Sequence, residues 1–524
     1  MIKVRYRTVM ILLSILMAFF AIPPGAAQDA AHPAPLYRIA EIDYHISGLT
    51  LKPFLEEYLD IKIGKPFPSL EALQDYVASL NRKILNNRVF MEKSSVGFEI
   101  MGEEEPRPVR VIVTTFNSWS ALAVPLLKYS SSDGISLALR YKDFNFLGTL
   151  EPLSLNLDYY AQTGEAEAAA YFTAFFNVLK ARWALAVAED ILYVPNTGVT
   201  PDGTVSLSST YRFRALGQKW YLNPLLSHLY ERDYLRHTLA GGFSTGFGFH
   251  AGLDWSFSAY TYLNDQYVTS HYPYMTNGLG ISTSIPLANL PYFGALTLSP
   301  SAGIFGTYGI EAGAYTDAGY SLGAGVSFGR VDLIRNMRKG ASASFSVSYA
   351  NHLIAPLPTD AFDLTLSGQI TAFTAFNPVL GFDFRLLGYW FGTWTYLGEN
   401  PSFDWEDYIR GIKETRYGDI GAVANIEFPI NFAQGQFFGA ERFEAEVFII
   451  PFVDAGYIRR RPDAVFPTID DAILCAGMDF VVFPEYARAF TYRLSLGYDV
   501  KDYIIKRDFS LRGLEVWLGI GLHF

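Results

Sequence analysis

The chain has 524 residues, of which 50% are hydrophobic, 16% aromatic and only 18% charged, and its net charge is −11. Neutralising phosphates needs dense basic patches, and the one basic run, Arg459-Arg460-Arg461, reads as a solvated turn, so nucleic acid is excluded as a partner. A single cysteine, Cys475, cannot form an intrachain disulfide and reads as an inert strand residue; an exported fold would have to rest on strands and packing.

The chain opens with Lys3, Arg5 and Arg7, then an apolar stretch from Val9 to Ile22 and the small residues Gly25-Ala26-Ala27. That order is a secretory signal peptide over residues 1–27, followed by an Ala/Pro-rich spacer over 28–35. Residues 36–116 then read as one small α+β domain. Ala40, Ile42, Tyr44 and Ile46 alternate as a strand, and Leu51 to Leu59 reads as a short helix. Ser69 can cap a second helix carrying an apolar stripe of Leu70, Leu73, Val77, Leu80 and Ile84. Strands at Ser95 to Met101 and Val109 to Thr115 complete a β-α-α-β-β order.

From Trp119 to Phe524 the helical period gives way to period two. Alternation is clear at Ile135 to Lys142, Leu153 to Tyr159, Leu253 to Phe257, Ala341 to Tyr349, Phe362 to Leu366, Ile420 to Ile430, Tyr492 to Val500 and Leu514 to Phe524. No apolar run after the signal could span a bilayer as a helix, so a membrane protein of this composition must cross as strands. Thirty-four Tyr and 41 Phe suit aromatic girdles. The expected fold is membrane all-β: an antiparallel transmembrane β-barrel of about 16 strands over 119–524, preceded by the small domain. A large soluble β-sandwich is the alternative. Ile191 to Asp233 fits the pattern poorly and is expected to include a long loop, as is Gly392 to Tyr417.

Two sets of residues bear on function. The first joins Arg410 and Gly411, in the polar segment before the Ile420 strand, to the Phe452-Val453-Asp454-Ala455-Gly456 run. Parity puts Val447, Ile449, Val453, Ala455 and Tyr457 on a lipid-compatible face and turns Glu446 and Asp454 to the lumen, where an Arg on a tucked-in loop could pair bidentately with Asp454. A surface Arg and a hydrated lumen Asp is the other reading, and spacing alone favours it. The second set lies where the barrel must close, between Ala121 to Tyr129 and the last strand. Pro125 has no N–H for the ladder, and Gly519 and Gly521, before the terminal Phe524, offer little packing. Either the seam is weakened for lateral opening, or the strand end tolerates proline.

No H-E-x-x-H, Cys-x-x-Cys or P-loop pattern occurs, so no catalytic residue, metal or cofactor is expected. Gly242-Phe243-Ser244-Thr245-Gly246 matches the lipase G-x-S-x-G pattern, but Gly and aromatic residues alternate straight through it, which reads as a barrel strand.

With these residues, the chain resembles the outer-membrane assembly and secretion family typified by BamA, TamA and the two-partner secretion pores. The resemblance rests on Arg410-Gly411, on Phe452, Asp454 and Gly456, on Tyr141 to Gly148 as an early N-x-x-G hairpin, and on Gly418 to Pro429. It implies one POTRA module in the periplasm, a 16-stranded barrel in the bacterial outer membrane, an Arg–Asp lock on an inserted loop, and that loop after strand eleven with five strands remaining. It further implies outer-membrane lipids, an unfolded or secreted protein client docked on the POTRA-like domain, and accessory lipoproteins as partners. The function implied is insertion or export of a protein, or a lipid, client. A passive porin or structural surface antigen, and an outer-membrane lipid hydrolase using Ser244, are the rivals. Ile412 replaces the family's loop aromatic, and a single module fits an accessory paralogue better than a central assembly factor.

Overall fold

The computed structural model describes residues 36–520, apart from 131–133, 179–180, 233–235, 267–272, 291–292, 335, 355–361, 392–407, 411–419, 437–443, 460–470 and 502–513. The expected signal peptide, the spacer, most of the expected Gly392 to Tyr417 loop, and the chain end at Gly521 to Phe524 lie outside the described residues.

The small domain runs β1 (Tyr37–Ser47), a first helix (Lys52–Leu59), β2 (Pro66–Phe67), a second helix (Leu70–Asn86), β3 (Ser95–Ile100) and β4 (Arg107–Phe116). Its sheet has the order β2-β1-β4-β3. The two-residue β2 is an addition to the expected order: Gly64, at φ +87°, turns the chain back so that Phe67 and Pro66 pair with Tyr37 and Arg38. The second helix is capped as its sequence suggests, with the Ala72 N–H donating to Ser69 Oγ at 3.1 Å. Leu73, Val77, Leu80 and Ile84 are buried, as are Val109, Val111 and Val113 on alternate positions of β4, whereas Leu70 in the first helical turn is exposed. Each such burial stabilises the domain by about 1.5–3 kcal/mol.

By contact the chain divides into two compact units, and the one that contains the barrel also takes in Ile46–Leu59 and Arg82–Ser95. Within that unit the turn after the second barrel strand grips the first of these segments. Gly148, at φ +76°, accepts a hydrogen bond from the Leu51 N–H at 2.9 Å. Asn145 and Asn117 donate to Thr50 Oγ1 at 3.0 and 2.7 Å. The second segment is held by Arg488, which donates to the Phe90 carbonyl at 3.1 Å, and by Arg88, which donates to Asn336 at 2.9 Å.

Each barrel strand pairs antiparallel with the next, from Ala121–Ser130 to Leu514–Ile520, and the last pairs with the first to close the ring. Among the described residues there are 20 strand positions, not about 16. Gly198–Ser209 and Tyr211–Ala215 share one position, as do Tyr274–Thr283 with Ile285–Leu290, and Ile420–Glu427 with Ile430–Gln436. The expected loop at Ile191 to Asp233 is a source of the discrepancy. It contains the end of Ala181–Val194, both segments from Gly198 to Ala215, and Gln218–Glu231. Tight turns at Asn196 and at Leu216-Gly217 join these strands, and the second of them has no polar spacer. Arg410 therefore follows the fifteenth strand position, not the eleventh; five positions do remain after it, beginning at Ile420, Glu444, Ala472, Tyr492 and Leu514.

The two faces of the wall differ. Ile135, Leu137 and Leu139 are exposed on one face while Ser136 and Ala138 are buried on the other. In the later strands the inner face is itself packed. Phe448, Ile450, Val481 and Phe483 form one buried cluster with Met337, and Val423, Ile458, Ile473 and Cys475 form another.

Candidate functional site: a buried arginine lock within the barrel

Strand parity builds the site. In Glu444–Ile458 the even positions Phe448, Ile450, Phe452 and Asp454 are buried, while Val453 is exposed. In Ile420–Glu427 and Ala472–Pro484 the odd positions are buried, which turns Asn425, Glu427 and Asp479 to the same interior. Asn425 and Asp454 are register partners, as are Asp454 and Cys475, so the carboxylates come from adjacent strands of one continuous wall.

Arg410 enters this acidic interior from the loop before Ile420. Ile409, with 1% of its surface exposed, packs into the cluster of Tyr389, Val423, Ile458, Ile473 and Cys475, so an apolar side chain anchors the residue beside it. The Arg410 backbone N–H and Nε donate to Asp454 Oδ2 at 3.0 and 2.8 Å, and Nη2 donates to Asp454 Oδ1 at 2.8 Å. Nη1 donates to Glu427 Oε1 at 2.7 Å and to Asp479 Oδ2 at 2.8 Å. The guanidinium carbon lies 3.5 Å from the centroid of the Phe452 ring, within cation–π distance. One planar fork thus engages three buried carboxylates and one aromatic face, geometry that a lysine ammonium could not reproduce.

Of the residues singled out from sequence, Arg410, Phe452 and Asp454 are in contact. Gly456 stands in the same strand opposite Val423 and Ile473, and Gly411 and Ile412 lie outside the described residues. Sequence reasoning missed Glu427, Asp479, Asn425 and three further arginines. Asn425 donates through Nδ2 to Asp454 Oδ1 at 2.8 Å and accepts through Oδ1 from Arg385 Nε at 2.8 Å. Arg338 bridges Asp383 and Glu427, and Ser495 donates to Asp479. Arg493 lies over the Trp517 ring at 4.2 Å. Among the described residues, the guanidinium groups of Arg338, Arg385, Arg410 and Arg493 are thereby set among the carboxylates of Asp383, Glu427, Asp454 and Asp479. A charged residue interrupting the buried period of an apolar strand is the signal that finds such groups, as it does for Asp454 and Glu446 in Glu444–Ile458.

A small residue makes the site possible as well. A Cβ on Gly477 would lie 2.0 Å from the Leu496 carbonyl oxygen and 2.5 Å from the Phe452 ring. Gly477→Val is therefore expected to push the Phe452 ring from beneath Arg410 and to weaken the lock by about 1–3 kcal/mol, read as a lowered denaturation midpoint of the folded protein.

The seam residues are placed by backbone register. The last strand pairs with its predecessor from Tyr492↔Ile520 through Tyr498↔Leu514, with Gly519 opposite Arg493. Its pairing with the first strand, among the described residues, is Val516↔Tyr129. Pro125 stands opposite Leu139 of the second strand; continuing the closing register by four residues would set Ile520 opposite it. Gly521 and Phe524 lie outside the described residues. Ser244 sits within the continuous strand Arg236–His250, paired on both sides, with no turn of the kind a nucleophile elbow requires.

No family model matches the sequence, and no curated protein does. Among solved structures the chain is similar to CdiB from Acinetobacter baumannii (11% identity, TM-score 0.35, covering 88% of this chain and 70% of that one). It is similar to CdiB from Escherichia coli (10%, TM-score 0.35, 91% and 89%). It is likewise similar to BamA from Haemophilus ducreyi lacking POTRA domains 1–3, at 12% identity and a TM-score of 0.32 over 92% of this chain and 83% of that one.

Proposed function

We propose that the chain is an outer-membrane barrel of the BamA-like family that inserts into the membrane, or exports across it, a protein client received on its periplasmic N-terminal domain. The observation that carries this reading is the Arg410 fork held by Asp454, Glu427 and Asp479, which fixes a loop residue inside the barrel. The barrel supports the membrane location, since closure pairs the strand edges and the exposed face is apolar.

Two routes for a client follow from the strands. In the small domain β3 is an outer strand of the sheet, and β2 pairs only with Tyr37 and Arg38 of β1, so extended polypeptide can add to a sheet edge through main-chain hydrogen bonds. In the barrel the closing pair Val516↔Tyr129 offers a seam that can open sideways. The client's own folding and burial would supply the energy. Accessory lipoproteins are further partners in this reading.

The test is to lock the seam. Tyr129→Cys with Val516→Cys, oxidised, is expected to abolish delivery of client to the outer membrane, and reduction to restore it. Delivery that continues through the oxidised double variant would refute a seam route. In planar bilayers, large and steady solute conductance that persists without the small domain would instead mark a passive porin.

A further inference from the structure

Beside the first barrel strand, Ala121–Ser130, lies a cavity of about 1090 Å³. That volume is at the upper end for small-molecule sites, about 300–1,000 Å³. Its floor is Val447, Val482 and Tyr492, which are register partners across three neighbouring strands. They lie on the face opposite the buried Phe448, Val481 and Arg493, and so on the membrane side. Leu122 of the first strand also lines it, from the face of that strand that carries the buried Leu126. At the rim Trp119 and Tyr486 pack edge to face at 6.0 Å, and the Trp119 N–H donates to the Tyr486 carbonyl at 3.2 Å. Both rings are about half exposed, the placement that aromatic side chains with a polar end take at an apolar–polar boundary.

Among the described residues that line the cavity, the charged ones are Lys93 and Glu444. Lys93, exposed, stands with its ammonium 4.4 Å from the Phe116 centroid, and Glu444 lines the opposite strand. Asn117 and Ser118 add polar groups between them. A cation and an anion above an apolar chamber complement a zwitterionic headgroup whose phosphate and ammonium are a few atoms apart. An acidic lipid would meet Glu444 unfavourably, and a quaternary ammonium could give Glu444 no hydrogen bond.

We infer that this cavity binds one phospholipid with a primary-amine headgroup, phosphatidylethanolamine, placing an acyl chain against Val447 and Val482, its phosphate at Lys93 and its ammonium at Glu444. The inference rests on the membrane reading above. A lipid seated there would occupy the apolar space beside the first strand and make the seam sensitive to lipid composition.

The test uses the full-length protein with equimolar dioleoyl phosphatidylethanolamine and phosphatidylglycerol, followed by native mass spectrometry. One retained phosphatidylethanolamine is expected, favoured by about fivefold, the scale of one partly exposed ion pair. Val482→Trp, which fills the cavity, should remove it; Glu444→Gln, conservative and at the mouth, should remove the preference while the protein stays folded. Phosphatidylethanolamine with dibrominated chains should quench a component of the tryptophan emission that is absent from Trp119→Phe. Equal retention of the two lipids, unchanged retention in Val482→Trp, or no Trp119-dependent quenching would overturn the site. Displacement of the brominated chain by an apolar strand peptide, with no preference between lipids, would assign the cavity to protein and overturn it too. Protein that alkaline extraction releases from bilayers would fail the membrane reading; protein that stays in the bilayer without the preference fails only the site.

Discussion

Arg410→Ala is expected to destabilise the folded barrel by about 3–5 kcal/mol, because it strands buried carboxylates of Asp454, Glu427 and Asp479 without their shared partner. Chemical denaturation in lipid vesicles would measure the loss, and client delivery should fall with it. Asp454→Ala is expected to cost less, since Arg410 keeps Glu427 and Asp479. Arg410→Lys should restore little, as a point charge cannot satisfy carboxylates on three strands together. The double variant Arg410→Ala/Asp454→Ala should be no less stable than Arg410→Ala alone, because it removes one of the stranded charges. Additive losses would show that the residues do not act as a unit.

Gly148 is the second sensitive position. A Cβ there would lie 2.2 Å from the Leu49 carbonyl oxygen, and the backbone sits at φ +76°. Gly148→Ala is expected to lose about 2–4 kcal/mol, combining left-handed strain with a collision against backbone that cannot swing aside. It should also expose the Leu51 amide to hydrogen exchange, because that amide donates to the Gly148 carbonyl. Gly217 supplies the control: it has φ +75°, and a Cβ added there would meet nothing within 4 Å. Gly217→Ala should therefore cost only about 1 kcal/mol. Equal costs at the two positions would mean that the grip on Leu49 and Leu51 contributes nothing.

Much of this architecture was legible because period two survives wherever one face of a strand is buried. Leu153 to Tyr159, Ala341 to Tyr349 and the five strands after Arg410 were recognisable for that reason. The stretch from Ile191 to Asp233 was not. Ser208, Ser209 and Thr210 follow one another and interrupt its alternation, Pro201 and Pro224 sit inside strands, and the Leu216-Gly217 turn is too short to read as a spacer. Asp454 could be placed by parity, whereas its neighbours Glu427 and Asp479 depend on which strands adjoin, information held in the register between segments far apart in sequence. The hold of Gly148 on Leu49 and Leu51 was equally hidden, since an N-x-x-G hairpin announces a turn but not its partner.

The most direct test of the proposed delivery role is to deplete the protein from its native cell and take a census of outer-membrane and secreted proteins. Loss of a defined set of them is expected, restored by the intact chain and not by Arg410→Ala. An unchanged census, with the membrane's protein complement intact after depletion, would contradict it.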